Sequence, residues 1–163
     1  MFDSKNKNTT KEKEKMKKCI GLFGTCGNST WREAFIKTYE EMGIAYFNPQ
    51  VKNWTPECAT VEAENLVEDS VILFPVTSET NGIGSLAEIG FSIIQAIKDD
   101  ERTFIIMVQA DIDAKIKEEN PALAKESTRA RALVRAHLAK LNLENVVIVE
   151  DFKTMLECSI EAY

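Results

Sequence analysis

The sequence predicts a single α/β domain with a flavodoxin-like, Rossmann-like parallel sheet of five strands in the order 2-1-3-4-5 and helices on both faces. Three observations predict it. From Cys19 onward, short apolar runs alternate with longer amphipathic ones, as buried parallel strands alternate with crossover helices. Small-residue, glycine-containing turns follow the first and third apolar runs, at the strand ends where open α/β sheets bind ligands. The 163 residues, 44% hydrophobic and 28% charged, suffice for one domain with a proper core.

Each element has its own local reason. Residues Met1 to about Lys17 hold six lysines and two glutamates with few apolar side chains, so burial cannot offset the entropy of ordering. This stretch is expected to be a disordered charged tail, and 18–163 the folded domain. Cys19–Gly24 reads as strand one. Thr30-x-x-Glu33 has the spacing of a capping box, opening a helix to about Met42 that Gly43 ends. Ile44–Phe47 reads as strand two, stopped by Asn48-Pro49. Thr55 before Pro56 starts a helix to about Glu68. Asp69 precedes strand three, Val71–Val76. A helix carrying Glu88 runs to about Lys98, Thr103–Val108 is strand four, and helical segments follow, the longer over about Pro121–Leu141. Val146–Val149 is strand five, and Asp151 caps a last helix running nearly to Tyr163. Right-handed crossovers then favour the order 2-1-3-4-5. Strands one and three become neighbours from which the chain departs in opposite directions, so the loops Thr25–Ser29 and Thr77–Gly82 face each other across one crevice.

Composition narrows the function classes. A formal net charge of -6 argues against a nucleic acid polymer or an anionic membrane as partner, while a small phosphorylated ligand needs only a local site. Cys19, Cys26, Cys58 and Cys158 show no C-x-x-C spacing, so no metal is expected. Reduced thiols in a cytoplasmic setting are the simplest reading, and no stretch is apolar and long enough to span a membrane. Cys26 falls in a loop beside a helix start, where a thiol can be activated; an inert position in the pocket wall is the plainer reading.

The candidate chemistry lies in the crevice. Asn81-Gly82-Ile83-Gly84-Ser85-Leu86-Ala87-Glu88-Ile89-Gly90 sets a carboxylate in the first turn of a helix. Ser85-x-x-Glu88 fits a capping box. The same geometry fits a carboxylate nucleophile kept ionised by the helix start, with Gly82 and Gly84 admitting a ligand close to the backbone. Gly24, Thr25, Cys26, Asn28 and Ser29 form a loop feeding a helix N-terminus, either a tight turn or a place for an anion or sugar hydroxyl. Asn48 ends strand two. Trp54 either stacks on a base or packs as a lid over the sheet edge. Asp69, Glu62, Glu64 and Glu79 are the carboxylates available as general acid, Asp69 alternatively capping the turn into strand three. Arg129, Arg131, Arg135 and Lys140 read as a solvated basic face. With His137 as the one histidine and no G-x-S-x-G elbow, a serine-hydrolase triad is discarded.

Three segments together resemble the nucleoside 2-deoxyribosyltransferase superfamily, closest to its divergent nucleoside 2-deoxyribosyltransferase-like branch. They are Ile20 through Arg32, Tyr46-Phe47-Asn48-Pro49, and Asp69 through Gly90. The likeness covers roughly residues 18–98 well and the rest loosely. It implies that Glu88 attacks the anomeric carbon of a (deoxy)nucleoside or nucleoside monophosphate, that a glycosyl-glutamate forms, and that a second base or water then accepts the sugar, as in retaining glycosidases. It also implies an acidic partner to protonate the leaving base, for which Asp69 and Glu79 are the candidates, and no cofactor. Asn81 stands where the transferases usually carry an aspartate that contacts the base. The carboxyl-terminal Tyr163 matches a tyrosine that such transferases often lend to a neighbouring subunit, which implies a homo-oligomer. A non-catalytic nucleotide-sensing module and a ribosyl 5′-phosphate N-glycosidase are the alternatives on the same scaffold.

Overall fold

A computed structural model describes residues 16–99 and 101–163. The charged segment before residue 16 lies outside the described residues. In chain order the elements are β1 (Lys17–Leu22), α1 (Trp31–Met42), β2 (Tyr46–Phe47), α2 (Pro56–Glu68), β3 (Asp69–Val76), α3 (Ile83–Lys98), β4 (Thr103–Val108), α4 (Ala114–Glu119), α5 (Pro121–Leu138), β5 (Val146–Ile148) and α6 (Phe152–Ala162). The strands form one all-parallel sheet in the order β2-β1-β3-β4-β5, as the alternation of segments predicts.

The strand period of two divides the core cleanly. Val71 and Leu73 of β3 face one side, with Ile20, Leu22, Ile105 and Met107, and meet Phe35 and Tyr39 of α1 and Met155 of α6. Ile72, Phe74 and Val76 face the other, with Phe104, Ile106 and Val108, and meet Leu86, Ile89 and Ala96 of α3 and Leu138 of α5. Strands β3 and β4 are buried along nearly their whole length, which is why they read as unbroken apolar runs.

Helix ends follow their predicted positions better than their predicted chemistry. Gly43 ends α1 in the left-handed region, Pro56 opens α2, and the Asp151 side chain accepts the Thr154 amide at 2.8 Å. The capping box predicted at Thr30 does not form: its side chain makes no cap hydrogen bond, and its carbonyl accepts the Glu33 amide instead. Strand β2 begins two residues late because the Ile44 amide is drawn to the Tyr39 carbonyl, closing the α1 terminus. Lys17 belongs to β1, its ammonium 3.0 Å from Asn65 Oδ1.

Candidate active site

Strands β1 and β3 are adjacent and parallel, and the loops leaving their carboxyl ends are stitched together. The Thr25 amide donates to the Pro75 carbonyl at 2.8 Å, and the Thr77 amide donates to Thr25 Oγ1 at 2.9 Å. Gly24 makes that approach possible. It has φ +87°, and a Cβ there would lie 2.3 Å from the Pro75 carbonyl oxygen. Gly24→Ala combines a left-handed non-glycine backbone with this clash; the expected loss is about 2 kcal/mol or more, readable in a denaturant titration.

Two buried arginines hold the floor of the crevice. Arg32, 2% exposed, donates to the carbonyls of Leu22 (2.8 Å), Phe23 (3.2 Å), Gly24 (3.4 Å) and Thr25 (2.6 Å) and approaches Cys26 Sγ at 3.4 Å. Burial holds its pKa below the usual value, which the neighbouring Cys26 and Glu62 partly offset. Arg131, 0% exposed, reaches from α5 to the carbonyls of Val76 (3.3 Å), Thr77 (2.8 Å), Thr80 (2.8 Å) and Gln109 (2.9 Å). Five N–H donors in a rigid fork suit this pinning of several carbonyls. The solvated basic face expected on α5 is therefore corrected. Arg129, His137 and Lys140 are exposed, Arg135 binds the Val108 carbonyl and Glu150, and Arg131 lies in the core. The stripe Ala124, Ser127, Arg131, Leu138 is the buried side of α5, and its helical spacing is the sequence signal for an inward Arg131. Arg32, with Phe35 and Tyr39 on the buried side of α1, carries the same signal.

Helix α3 begins at Ile83, with Gly82 as its cap at φ 63° and the Leu86 amide donating to the Gly82 carbonyl at 2.8 Å. A Cβ on Gly82 would press Val76 and Arg131. Glu88 thus lies in the second turn, and the capping box expected between Ser85 and Glu88 does not exist. Ser85 is a buried third residue of the helix. The expectation that the helix start holds Glu88 ionised is corrected too. Burial raises its pKa, and the charge of Glu62 raises it further. Above Gly84 the space is open, with nothing within 4 Å of a built Cβ.

Glu62 lies on α2, half-buried. Its Oε1 accepts from Trp54 Nε1 at 3.1 Å, and its charge is felt at both Glu88 and Arg32. Glu62 thus holds a tryptophan that keeps 60% of its surface exposed, and its charge bears on Glu88 of α3. Trp54 is held by Glu62 and does not pack as a buried lid. Glu62, half-buried, shares its side of α2 with Asn65 and Leu66; that i, i+3, i+4 spacing is the signal that singles it out from Glu64, which is exposed.

The other predicted residues divide. Cys26, Gly27 and Asn28 are exposed at the crevice rim. Ser29 is buried there with no hydrogen bond to its hydroxyl, and Thr25 is committed to the loop junction. Asn48 accepts the Gln50 amide at 3.0 Å, a local turn, while Gln50 Nε2 ties it to the Gly27 carbonyl at 2.8 Å. Glu79 is exposed, its carboxylate 3.4 Å from Thr77 Oγ1. The Asn81 carbonyl accepts from Ser127, and its Oδ1 is buried without a partner. Asp69 does not reach the crevice. It opens β3, so the eight-residue strand separates it from the far end by roughly 23 Å. There it is fully buried with Lys17 Nζ at 3.6 Å, and burial raises its pKa and helps push the neighbouring Cys19 thiol up to about 12. Tyr163 is engaged by its own chain: its hydroxyl accepts the Ala45 amide at 3.2 Å, and Lys18 lies over its ring.

Among the described residues no cluster of His, Cys, Asp and Glu could hold a metal ion, and no helix is long and apolar enough to cross a membrane. A cavity of about 480 Å³ lies away from the crevice, between α4 and α5, lined by Lys117, Pro121, Ala124, Lys125, Thr128, Arg129 and Ala132. Its lining presents no carboxylate, thiol or imidazole. No protein-family model matches the chain, and no curated protein matches it.

Proposed function

We propose that this protein cleaves or transfers the N-glycosidic bond of a nucleoside or nucleoside monophosphate, with Glu88 as nucleophile. The observation that carries the reading is half-buried Glu88 in the helix that follows β3 at the sheet switch point, within reach of the charge of Glu62, which holds exposed Trp54. In the first step a Glu88 oxygen bonds to the anomeric carbon, the bond from that carbon to the base nitrogen breaks, and the base leaves with a proton. Glu62 replaces Asp69 as the acid that supplies it. In the second step water or another base attacks the same carbon, Glu62 takes the proton, and Glu88 is released. Trp54 offers a face for the base to stack on, and open Gly84 lets the sugar approach the backbone. Incubation with a panel of nucleosides and their 5′-monophosphates, followed by chromatography of free base, tests the proposal. Release from at least one member is expected, and a strict need for phosphate would identify the ribosyl 5′-phosphate variant of the reaction.

Glu88 must be ionised to attack, so its raised pKa sets the acid limb of kcat/KM above the ordinary glutamate range. Glu62→Gln is expected to reduce turnover about 10²-fold by loss of the proton donor, read as the rate of base release; unchanged turnover contradicts the role given to Glu62.

A second reading, nucleotide binding without turnover, is favoured by Asn81. Its buried, unpartnered Oδ1 can accept a hydrogen bond from a base edge, but an amide supplies no proton. Calorimetry separates the two, since tight binding with no base released selects the sensor.

A further inference from the structure

The cavity of about 480 Å³ between α4 and α5 has the volume of a small-molecule site, and its lining divides by chemistry. Pro121, Ala124 and Ala132 give it apolar walls, while Lys117, Lys125 and Arg129 bring three positive charges. It arises where α4, only six residues long and burying none of them, meets small side chains on α5. Thr128, between the two alanines, donates its hydroxyl to the Ala124 carbonyl at 2.9 Å, so that donor is committed to the helix backbone. The cavity is separate from the crevice. On α5, Ser127 and Arg131 serve the carbonyls of Asn81, Thr77 and Thr80, and the neighbouring side of the same helix lines the cavity.

The charge balance narrows the ligand. Lys117 Nζ lies 2.6 Å from Asp111 Oδ1, a complete pair. Arg129 Nη1 lies 3.9 Å from Glu126 Oε2, longer than a hydrogen bond, with both side chains mostly exposed. Water screens that pair and leaves the forked donors of the guanidinium for a ligand. Among the described residues Lys125 forms no ion pair. With Asp111 and Glu126 each set against one cation, the charge of Lys125 is left over. Lys125 and Arg129 stand one turn apart on α5 and both line the cavity. Like charges at that spacing repel, and one anion between them relieves the repulsion. A single surplus charge suits a monoanion, and a carboxylate matches the planar fork of Arg129.

We propose that the α4–α5 cavity binds a small organic monocarboxylate, its apolar body against Pro121, Ala124 and Ala132 and its carboxylate between Lys125 and Arg129. A bare inorganic anion makes no use of the apolar walls, and a neutral analogue leaves the surplus charge unmatched. The site stands whether or not the crevice is catalytic.

Two-dimensional NMR of the full chain, titrated with 4-phenylbutyrate against sodium chloride of equal ionic strength, tests the site. Saturable shifts of the Ala124, Thr128 and Ala132 amides are expected, with a Kd of about 1 mM or below. The neutral isostere 4-phenylbutanamide is expected to bind about 10-fold more weakly. Lys125→Gln with Arg129→Gln is expected to weaken the acid about 10-fold or more and to leave the amide within about twofold. Ala132→Phe fills the cavity and is expected to abolish the binding of both. All three positions are exposed, so circular dichroism and Tm are expected to match the wild type. No saturation by about 10 mM, equal affinity for acid and amide, or binding that survives Ala132→Phe overturns the proposal.

Discussion

Glu88→Gln is expected to lower base release by about 10⁴-fold, the scale of losing a covalent nucleophile, while leaving nucleoside affinity within a few-fold. The amide keeps the shape and some hydrogen-bonding capacity of the carboxyl group but cannot form the glycosyl ester. The variant also has a stability signature. Glu88 is raised in the folded chain by burial and by Glu62, so the folded state holds its proton more tightly than the unfolded chain does. Its contribution to stability is complete below the unfolded pKa and is lost as pH rises through the folded pKa. Glutamine has no such loss. Thermal melts are therefore expected to show Glu88→Gln with a higher Tm than wild type near neutral pH, and the gap closing in acid. A group held ionised by a favourable cap would give the opposite result, a lower neutral Tm on substitution. Loss of activity with gain of stability is the pattern of a site kept for chemistry at some cost to the fold.

The second large effect is structural. Arg131→Ala removes the guanidinium that four backbone carbonyls share at the β3–α3 and β4 loops and leaves a void between α5 and the sheet. Orphaned buried acceptors together with lost volume place the expected destabilisation at about 3 kcal/mol or more, a fall in Tm of about 6–12 °C for a chain of this size. Arg131→Lys is expected to recover less than half of the loss, since one ammonium cannot fork to carbonyls on two loops. A change under 1 °C in the alanine variant would mean that the loops stand without the arginine.

These arginines show where the sequence was legible and where it was not. The sheet order follows from apolar runs and crossover handedness, and both are local in origin. The crevice between the β1 and β3 loops follows from that order, and Thr25 bonding to Thr77 is its direct consequence. The place of Asp69 is readable from its position: a residue that opens a strand lies at the amino edge, a full strand length from a carboxyl-edge site. The Ser85–Glu88 box fails for a different reason. A capping pattern fits any Ser-x-x-Glu, but the helix starts where the loop lets it, and Gly82 against Val76 and Arg131 lets it start three residues earlier. Arg131 and Arg32 were hidden by their charge, which reads as solvent-facing until their spacing with Leu138 and with Phe35 is weighed above residue type. Spacing within α2 places Glu62 on the inner side with Asn65 and Leu66, but the hydrogen bond from Trp54 and the reach of its charge to Arg32 and Glu88 come from other elements and are not encoded there. The same holds for Tyr163, whose partners Ala45 and Lys18 lie more than a hundred positions away in the chain.

We propose that Glu88 becomes covalently glycosylated. Its most direct test is the intact mass of the protein after incubation with a nucleoside or 5′-monophosphate that the panel shows to be turned over, in a form bearing fluorine at C2 of the sugar. The fluorine destabilises the oxocarbenium-like transition state of the second step, so the adduct accumulates. A mass gain of one sugar unit is expected, mapped by peptide sequencing to Glu88 and absent from Glu88→Gln. Base release from the natural substrate with no adduct on the protein, or an adduct on any other residue, would contradict the assignment.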